Sequence, residues 1–183
     1  MQKIKCVSKL FKHLFQVVFI IFILFNVVAW IIAPEPFLFL GKTMGFKFLV
    51  IPEQVPIMHS LSGMEKFSGF LISLVPLAVQ LYLLANLVKL FALYEKGKIF
   101  VLESVNTIKC IGLALFISQI IAPFYEAALS PVLTWHNPPG NRMAIASFDG
   151  TNVGLIIAAV IILLVSWVMA EACKLKQESE LTV

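Results

Sequence analysis

Four long apolar runs constrain the fold of this chain more than any other feature of its sequence. Each is about as long as the roughly 20 residues that an α-helix needs to cross the hydrocarbon core of a bilayer. The runs are residues 14–33, 68–91, 108–129 and 152–172, and none carries a charge in its middle third. Because backbone groups inside lipid must be hydrogen-bonded within the protein, the runs predict four membrane-spanning helices.

The composition supports an integral membrane protein. The 183 residues are 60% hydrophobic and 13% charged, whereas soluble domains are nearer to half apolar and a quarter charged. The first run follows a basic stretch, as a signal peptide would, but it is too long for the apolar region of such a peptide. We therefore expect an all-α protein, a four-helix transmembrane bundle that forms a single membrane domain over residues 1–183.

The distribution of basic residues predicts the orientation in the membrane. Ten of the 14 lie near the termini or the connection at 92–107, and four lie in the two longer loops at 34–67 and 130–150. The ten are Lys3, Lys5, Lys9, Lys12, Lys89, Lys96, Lys98, Lys109, Lys174 and Lys176, and the four are Lys42, Lys47, Lys66 and Arg142. This asymmetry predicts that both termini, the 92–107 hairpin and the 173–183 tail lie in the cytoplasm. Direct nucleic-acid binding is not expected, since these lysines lie at helix ends.

The cysteine and histidine positions give weak support for a metal site. Cys6, Cys110 and Cys173 fall at the predicted cytoplasmic ends of helices, where thiols stay reduced. With His13 they could make a ligand set, but they lack metal-binding spacing, so small apolar roles are favoured. A second set without ligand spacing lies in the outer loops: His59, Glu65, His136 and Asp149. Solvated loop residues are the favoured interpretation there, and no metal or cofactor is expected.

The outer loops are interpreted as a small cap that contains β-structure. Residues 37–52, "FLFLGKTMGFKFLVIP", predict two short strands around a glycine-flanked turn. Residues 137–141, "NPPGN", predict a turn, and residues 142–148, "RMAIASF", a third strand. The alternative is that the first loop lies on the lipid surface as an amphipathic segment.

Polar residues inside the predicted spans suggest contacts between helices. Asn26, Gln80 and Gln119 have small or proline neighbours at helical spacing, which for Gln80 are Ser73 and Pro76. A stripe of small residues on the fourth helix consists of Gly154, Ala158 and Ser166. Such residues act as interhelical hydrogen-bonding groups more often than as a polar pathway. The sequence leaves three interpretations open for Glu126: it lines an outer cavity, it reaches the lipid headgroups, or it pairs with Lys66 or Arg142. The sequence shows no nucleophile or phosphate-binding motif, so catalysis is not expected.

The hairpin between the second and third spans is the predicted functional surface. Gly97 follows "LYEK" and fits a helix C-cap. Ile99 and Phe100 are apolar where a hydrophilic loop is expected, and Val105 continues an apolar face into the third helix. The Ile-Phe pair either enters the lipid interface, packs on the other cytoplasmic helix ends, or binds a partner protein.

The motif "LYEKGKIF", followed by Glu103, Lys109 and Gly112, and a chain ending in "ESELTV" resemble a family of small bacterial four-helix membrane proteins. This is the domain-of-unknown-function family two-nine-seven-five. In its pattern a Ser or Thr usually caps the third helix, where this chain has Val101. The resemblance singles out a cytoplasmic motif and a C-terminal motif. Their residues are Tyr94, Gly97, Ile99, Phe100, Glu103, Lys109 and Gly112, and Glu180, Leu181, Thr182 and Val183.

Two functions follow from these patterns. The resemblance implies that small helix-turn-helix regulators are encoded nearby. We therefore expect a non-enzymatic signalling protein that acts with a cytosolic DNA-binding partner. The hairpin and the tail would be its contact surfaces. The alternative is a small transporter or immunity-type protein whose substrate meets Gln80, Gln119 and Glu126. Four spans are few for a monomeric carrier, so that function would require a homo-oligomer.

Overall fold

The computed structural model describes residues 2–32, 55, 57, 61–148 and 150–181. Within these residues the chain forms four α-helices, and all four are long and apolar enough to cross a membrane. They are α1, Gln2–Ile32; α2, Gly63–Glu95; α3, Leu102–Leu133; and α4, Gly150–Leu181. The predicted all-α chain with four potential spans is confirmed, and every helix is longer than its predicted apolar run.

The predicted β cap is not seen in the residues that the structure describes. Most of the first connection, including the two strands expected within 37–52, lies outside the described residues. Residues 142–148 are described and contain no β-strand. The turn before them is present: Asn141 N–H donates to the Pro138 carbonyl at 3.0 Å, and Gly140 has φ +99°. Glycine adopts this left-handed conformation without a side-chain clash, which explains why it follows Pro139 here.

The chain divides into two compact units, and α1, α2 and α3 contribute residues to both. The first unit contains Met1–Phe19, Leu81–Ile117 and Gly150–Val183. An aromatic cluster joins α1 to α2 within it: the Phe91 ring stacks on Phe11 and Phe15, with centroids 5.2 and 5.6 Å away. Such ring pairs add to the free energy gained from the apolar area that they bury.

Close packing of α3 against α4 in the first unit occurs at Gly112. A Cβ built on Gly112 would lie 3.1 Å from side-chain atoms of Ile162 and Leu163, so a larger residue would push the helices apart. The predicted small-residue stripe on α4 is buried at Ser166 and exposed at Gly154. Gly154 is exposed and a Cβ built there meets nothing within 4 Å, whereas Ala159 is fully buried.

The second unit contains Ile20–Gln80 and Ser118–Asp149. A capping box starts α2 in this unit, because Ser62 N–H donates to Glu65 Oε2 at 2.8 Å and Glu65 N–H faces Ser62 Oγ at 3.5 Å. Close packing of α1 against α2 occurs at Gly69, where an added Cβ would overlap the Trp30 ring. Leu129 and Leu133 of α3 are fully buried.

Candidate functional site

The turn of the α2–α3 hairpin (residues 92–107) is closed by a Schellman motif. Gly97 N–H donates to the Tyr94 carbonyl at 3.0 Å, and Lys98 N–H donates to the Leu93 carbonyl at 3.0 Å. Gly97 has φ +77°, the left-handed conformation that this motif requires. The predicted C-cap at Gly97 is confirmed, and the bonds fix the direction in which the chain leaves α2.

The start of α3 is tied to the same turn by Ser104. Val101 precedes the helix and has no side-chain oxygen to cap it, although its carbonyl accepts bonds from Ser104 and Val105 N–H. The Ser104 hydroxyl instead donates to the Lys98 carbonyl at 2.5 Å, and Ser104 is fully buried. Lys98 therefore bonds both helices: its N–H donates to the Leu93 carbonyl of α2, and its carbonyl accepts a hydrogen bond from the Ser104 hydroxyl of α3. The sequence analysis did not predict this role of Ser104. Its only indication was a serine near the start of a helix that lacks a capping residue at Val101.

The two apolar residues of the hairpin, Ile99 and Phe100, differ in exposure. Ile99 is half-buried, but the Phe100 side chain is 69% exposed. The interpretation in which Phe100 packs on other helix ends of this chain is therefore wrong. Lys96, Lys98 and Lys109 are also exposed, so the hairpin presents an aromatic ring on a rigid turn together with several cations.

The first helix supports the hairpin from the side. Lys12 Nζ lies 2.5 Å from Glu95 Oε2 in a partly buried ion pair. The Tyr94 ring lies edge-on to Phe91, with centroids 6.1 Å apart, so Tyr94 extends the aromatic cluster. Lys12 and Phe91 were missed by sequence reasoning, because nothing in one sequence links residues 83 positions apart.

The remaining residues of the predicted motif are dispersed. Glu103 lies 3.8 Å from Lys89 in an exposed ion pair, which contributes little to stability. Gly112 is buried against α4, as described above, and its role is packing. In the terminal motif, Glu180 and Leu181 are the last residues of α4, and Thr182 and Val183 lie outside the described residues.

Among the predicted intramembrane polar residues, Asn26 joins two helices. Asn26 Nδ2 donates to Ser73 Oγ at 3.2 Å, and Trp30 Nε1 donates to the same oxygen at 3.1 Å. The Ser73 hydroxyl in turn donates to the Phe70 carbonyl at 2.7 Å. Asn26 is fully buried, so it serves as an interhelical hydrogen-bonding group between α1 and α2. Trp30 and Ser73 complete the group, although only Ser73 stood out beforehand, as a neighbour of Gln80.

Gln119 is the polar residue whose hydrogen bonding is incomplete. Its Nε2 donates to Ser118 Oγ at 2.9 Å, while its Oε1 is buried and has no hydrogen-bond partner in the part of the chain described. Gln80 is only half-buried. Glu126 lies seven residues beyond Gln119, on the same face of α3. A buried, unpaired acceptor is costly and can accept a hydrogen bond from a ligand or a water molecule.

Glu126 holds the chain that follows α3. Its Oε2 accepts a hydrogen bond from Ser147 N–H at 2.9 Å and another from the Ser147 hydroxyl. The expected pairing of Glu126 with Lys66 or Arg142 is therefore replaced by a contact with Ser147. Arg142 is directed elsewhere: its Nε donates to the Asn137 carbonyl at 3.4 Å, and its guanidinium lies 5.9 Å from the Trp135 ring centroid.

Two further contacts repeat the arrangement at Glu126 along α3. Ile145 N–H donates to Ser130 Oγ at 2.8 Å, and Met143 N–H donates to Thr134 Oγ1 at 3.2 Å. Each hydroxyl also donates to the helix carbonyl four residues earlier, at 2.7 Å for Ser130 and 2.9 Å for Thr134. Residues 142–148 therefore form an α3-bound segment, antiparallel to the helix and held by Glu126 and Ser130 of α3 and by Thr134, which directly follows it.

The spacing of this ladder shows that the α3-bound segment is extended. Acceptors at every fourth helical residue are about 6 Å apart, and two residues of extended chain advance about 6.6 Å. The donors come from every second residue, which matches an extended chain and not a helix. The predicted third strand is not present in residues 142–148: their partner is a helix and not another strand, so no sheet forms here.

Two of the four outer residues considered as metal ligands meet. His136 Nδ1 lies 2.7 Å from Glu65 Oε1, and the Glu65 carboxylate is buried while His136 is largely exposed. His59 and Asp149 lie outside the described residues. Among the described residues no group of three or more His, Cys, Asp or Glu side chains is placed to hold a metal ion. The Glu65–His136 pair joins the start of α2 to the turn after α3.

The helices and contacts together define a class of protein. The four helices have the length and composition of a multi-pass membrane protein, and the polar contacts among them join helices and connections to one another. The chain belongs to the family described as "Protein of unknown function (DUF2975)", whose family model matches residues 42–183. This confirms the resemblance drawn from the hairpin and the C-terminus. No curated protein matches the chain, and no solved structure matches it.

Proposed function

We propose that this protein is a non-enzymatic signalling component of the bacterial plasma membrane that acts with a cytosolic helix-turn-helix regulator. Both termini and the α2–α3 hairpin face the cytoplasm in this proposal, in accord with the ten basic residues on that side and the four on the other. The 142–148 segment and the Glu65–His136 pair then face outward. A signal on the outer side would change how the hairpin or the tail binds the regulator.

The observation that carries the proposal is the exposure of Phe100 on a rigid turn. The Schellman motif and the Ser104–Lys98 bond fix the hairpin, while 69% of the Phe100 side chain is exposed. Aromatic side chains held on a fixed scaffold are frequent energetic centres of protein interfaces. The neighbouring lysines favour a binding surface on the partner that carries acidic side chains.

Co-purification tests the proposal. The full chain in detergent is used to capture helix-turn-helix regulators encoded beside its gene, and Phe100→Ala is expected to lower the recovery. Phe124→Ala is the matched control, because Phe124 is equally exposed, at 70%, but lies in the second unit. Deletion of residues 180–183 tests the tail separately. If Phe100→Ala and the deletion both leave the recovered regulator unchanged, the proposed relay is wrong.

The alternative, a transporter or immunity-type protein, is favoured by a different observation. Gln119 Oε1 and the Tyr125 hydroxyl are buried, and neither has a hydrogen-bond partner in the described part of the chain. Unpaired polar atoms inside a span often mark a site that binds something. Solute flux across liposomes that is abolished by Gln119→Leu would support this function, and flux that is absent or unaffected would argue against it.

A further inference from the structure

One of the two edges of the α3-bound segment has no partner among the residues that the structure describes. In an extended chain the N–H and carbonyl of one residue point to one side, and those of the next residue point to the other side. Met143, Ile145 and Ser147 direct their N–H groups at α3. Ala144 and Ala146 therefore direct theirs away from α3. Both are exposed, and their backbone groups make no hydrogen bond to any described residue.

This open edge is a backbone template at the end of a membrane-spanning helix. Unpaired N–H and C=O groups cannot face hydrocarbon without a large cost, so the edge must contact water or a hydrogen-bonding partner. An open edge of this type recognises an extended chain through main-chain hydrogen bonds, in the way that peptides add a strand to a sheet. Shape and donor pattern thus favour an extended peptide over a lipid.

The charges beside the edge indicate which end of a peptide would lie there. The described carboxylates of the second unit are engaged within the chain, Glu65 with Ser62 and His136 and Glu126 with Ser147. Arg142, at the start of the segment, contacts the Asn137 carbonyl and the Trp135 ring, and neither of these groups is charged. A carboxylate is the complementary group for this guanidinium.

We propose that the open edge of residues 142–148 binds the C-terminal stretch of an extended peptide, antiparallel to the segment, with the peptide's terminal carboxylate at Arg142. The antiparallel direction follows because it places a peptide's last residue beside the first residue of the segment. This inference deepens the proposed function by naming the class of ligand on its sensing side, and it rests on that function only for the orientation in the membrane.

Residue-resolved amide exchange on the full chain in nanodiscs tests the proposal, since both membrane faces are accessible there. The probe is an acetylated peptide of alternating valine and threonine with a free C-terminal carboxylate. Saturating peptide is expected to slow exchange at Ala144 and Ala146 by about ten-fold or more, as pairing with a strand protects amides. Met143 and Ile145 serve as internal controls, because their amides already bond α3 and should not change.

Chemical variants of the probe separate the two parts of the proposal. N-methylation of the peptide amides that face the edge should abolish the protection. Amidation of the peptide C-terminus should weaken binding by about five-fold, and Arg142→Gln should cause the same loss without adding to it. If the amidated and free peptides bind equally well, the carboxylate contact is wrong.

Two proline variants keep the result interpretable if Arg142→Gln disturbs folding. Ala146→Pro removes an N–H from the open edge and leaves the bonds to α3 in place, so it should abolish peptide binding in a stable protein. Ile145→Pro removes an N–H that bonds Ser130, so it should loosen the segment itself. The proposal is overturned if Ala144 and Ala146 are already protected without peptide, or if saturating peptide leaves their exchange unchanged. Because the assay contains no regulator, its failure is distinguishable from failure of the co-purification test.

Discussion

The Ser104 hydroxyl donates a hydrogen bond to the Lys98 carbonyl oxygen at 2.5 Å from a fully buried position. This bond crosses from α3 to the turn and fastens the start of a helix that Val101 cannot cap. Ser104→Ala should therefore lower the free energy of unfolding by about 1 kcal/mol. Val101→Thr should recover a similar amount by adding a capping oxygen.

Denaturant titration in detergent micelles measures both changes. Thr107→Ala is the control, because its hydroxyl bonds the Glu103 carbonyl within α3 and does not reach the turn. The prediction fails if Ser104→Ala is no more destabilising than Thr107→Ala, or if Val101→Thr gives no recovery in the Ser104→Ala background.

Gly97 tests whether the turn depends on backbone conformation. With φ +77°, any L-residue other than glycine is strained, so Gly97→Ala should cost about 1 kcal/mol of stability and Gly97→Asn less. Gly63→Ala is the matched control, since it lies in the first turn of α2 with open space around a Cβ. Equal melting temperatures for Gly97→Ala and Gly63→Ala would contradict this account.

Gly112 and Gly154 form a matched pair on the question of helix packing. Gly112→Val should destabilise by about 1–3 kcal/mol, because its side chain would meet Ile162 and Leu163, whereas Gly154→Val should change stability little. Thermal unfolding in detergent compares the two. A larger effect at Gly154 than at Gly112 would contradict this account of the packing of α4.

Ser73 accepts hydrogen bonds from two buried donors, so removing its hydroxyl should leave both donors without this acceptor. Ser73→Ala leaves Asn26 Nδ2 and Trp30 Nε1 without this acceptor and should cost about 1–2 kcal/mol. Ser68→Ala, which removes a hydroxyl bonded only to backbone carbonyls of its own helix, should cost less. A double-mutant cycle with Asn26→Leu should give a coupling energy clearly different from zero, and additive effects would rule out the shared bond.

The α3-bound segment can be released by changing the helix. Glu126→Ala and Ser130→Ala each remove one acceptor of the ladder, so trypsin should cleave after Arg142 several-fold faster than in the unchanged protein. Ser147→Ala keeps its N–H bond to Glu126 and should accelerate cleavage less. Cleavage rates that do not differ among the three variants would mean that these bonds do not hold the segment.

The number of helices, the cap at Gly97 and the turn at Gly140 could be predicted from the sequence, because length, hydropathy and positive φ are local properties. The face that each helix buries could not. In a bilayer the lipid is as apolar as leucine, so hydrophobic residues do not mark the inner face. That is why Gly154 was expected in a contact and Gly112 makes one instead. Glu126, Ser130 and Thr134 did share one helical face in the sequence, but their partners are backbone groups, which sequence patterns do not reveal.

The α3-bound segment restricts how the length of this connection can change. Two residues of the segment match four residues of α3, and alternate residues face opposite edges. Inserting one residue between Met143 and Ser147 would turn the N–H groups beyond it away from their acceptors. Inserting two would move the remaining contacts by about one helical turn. Length variation among related chains is therefore expected at the turn before Asn141, or within the segment in even-numbered steps.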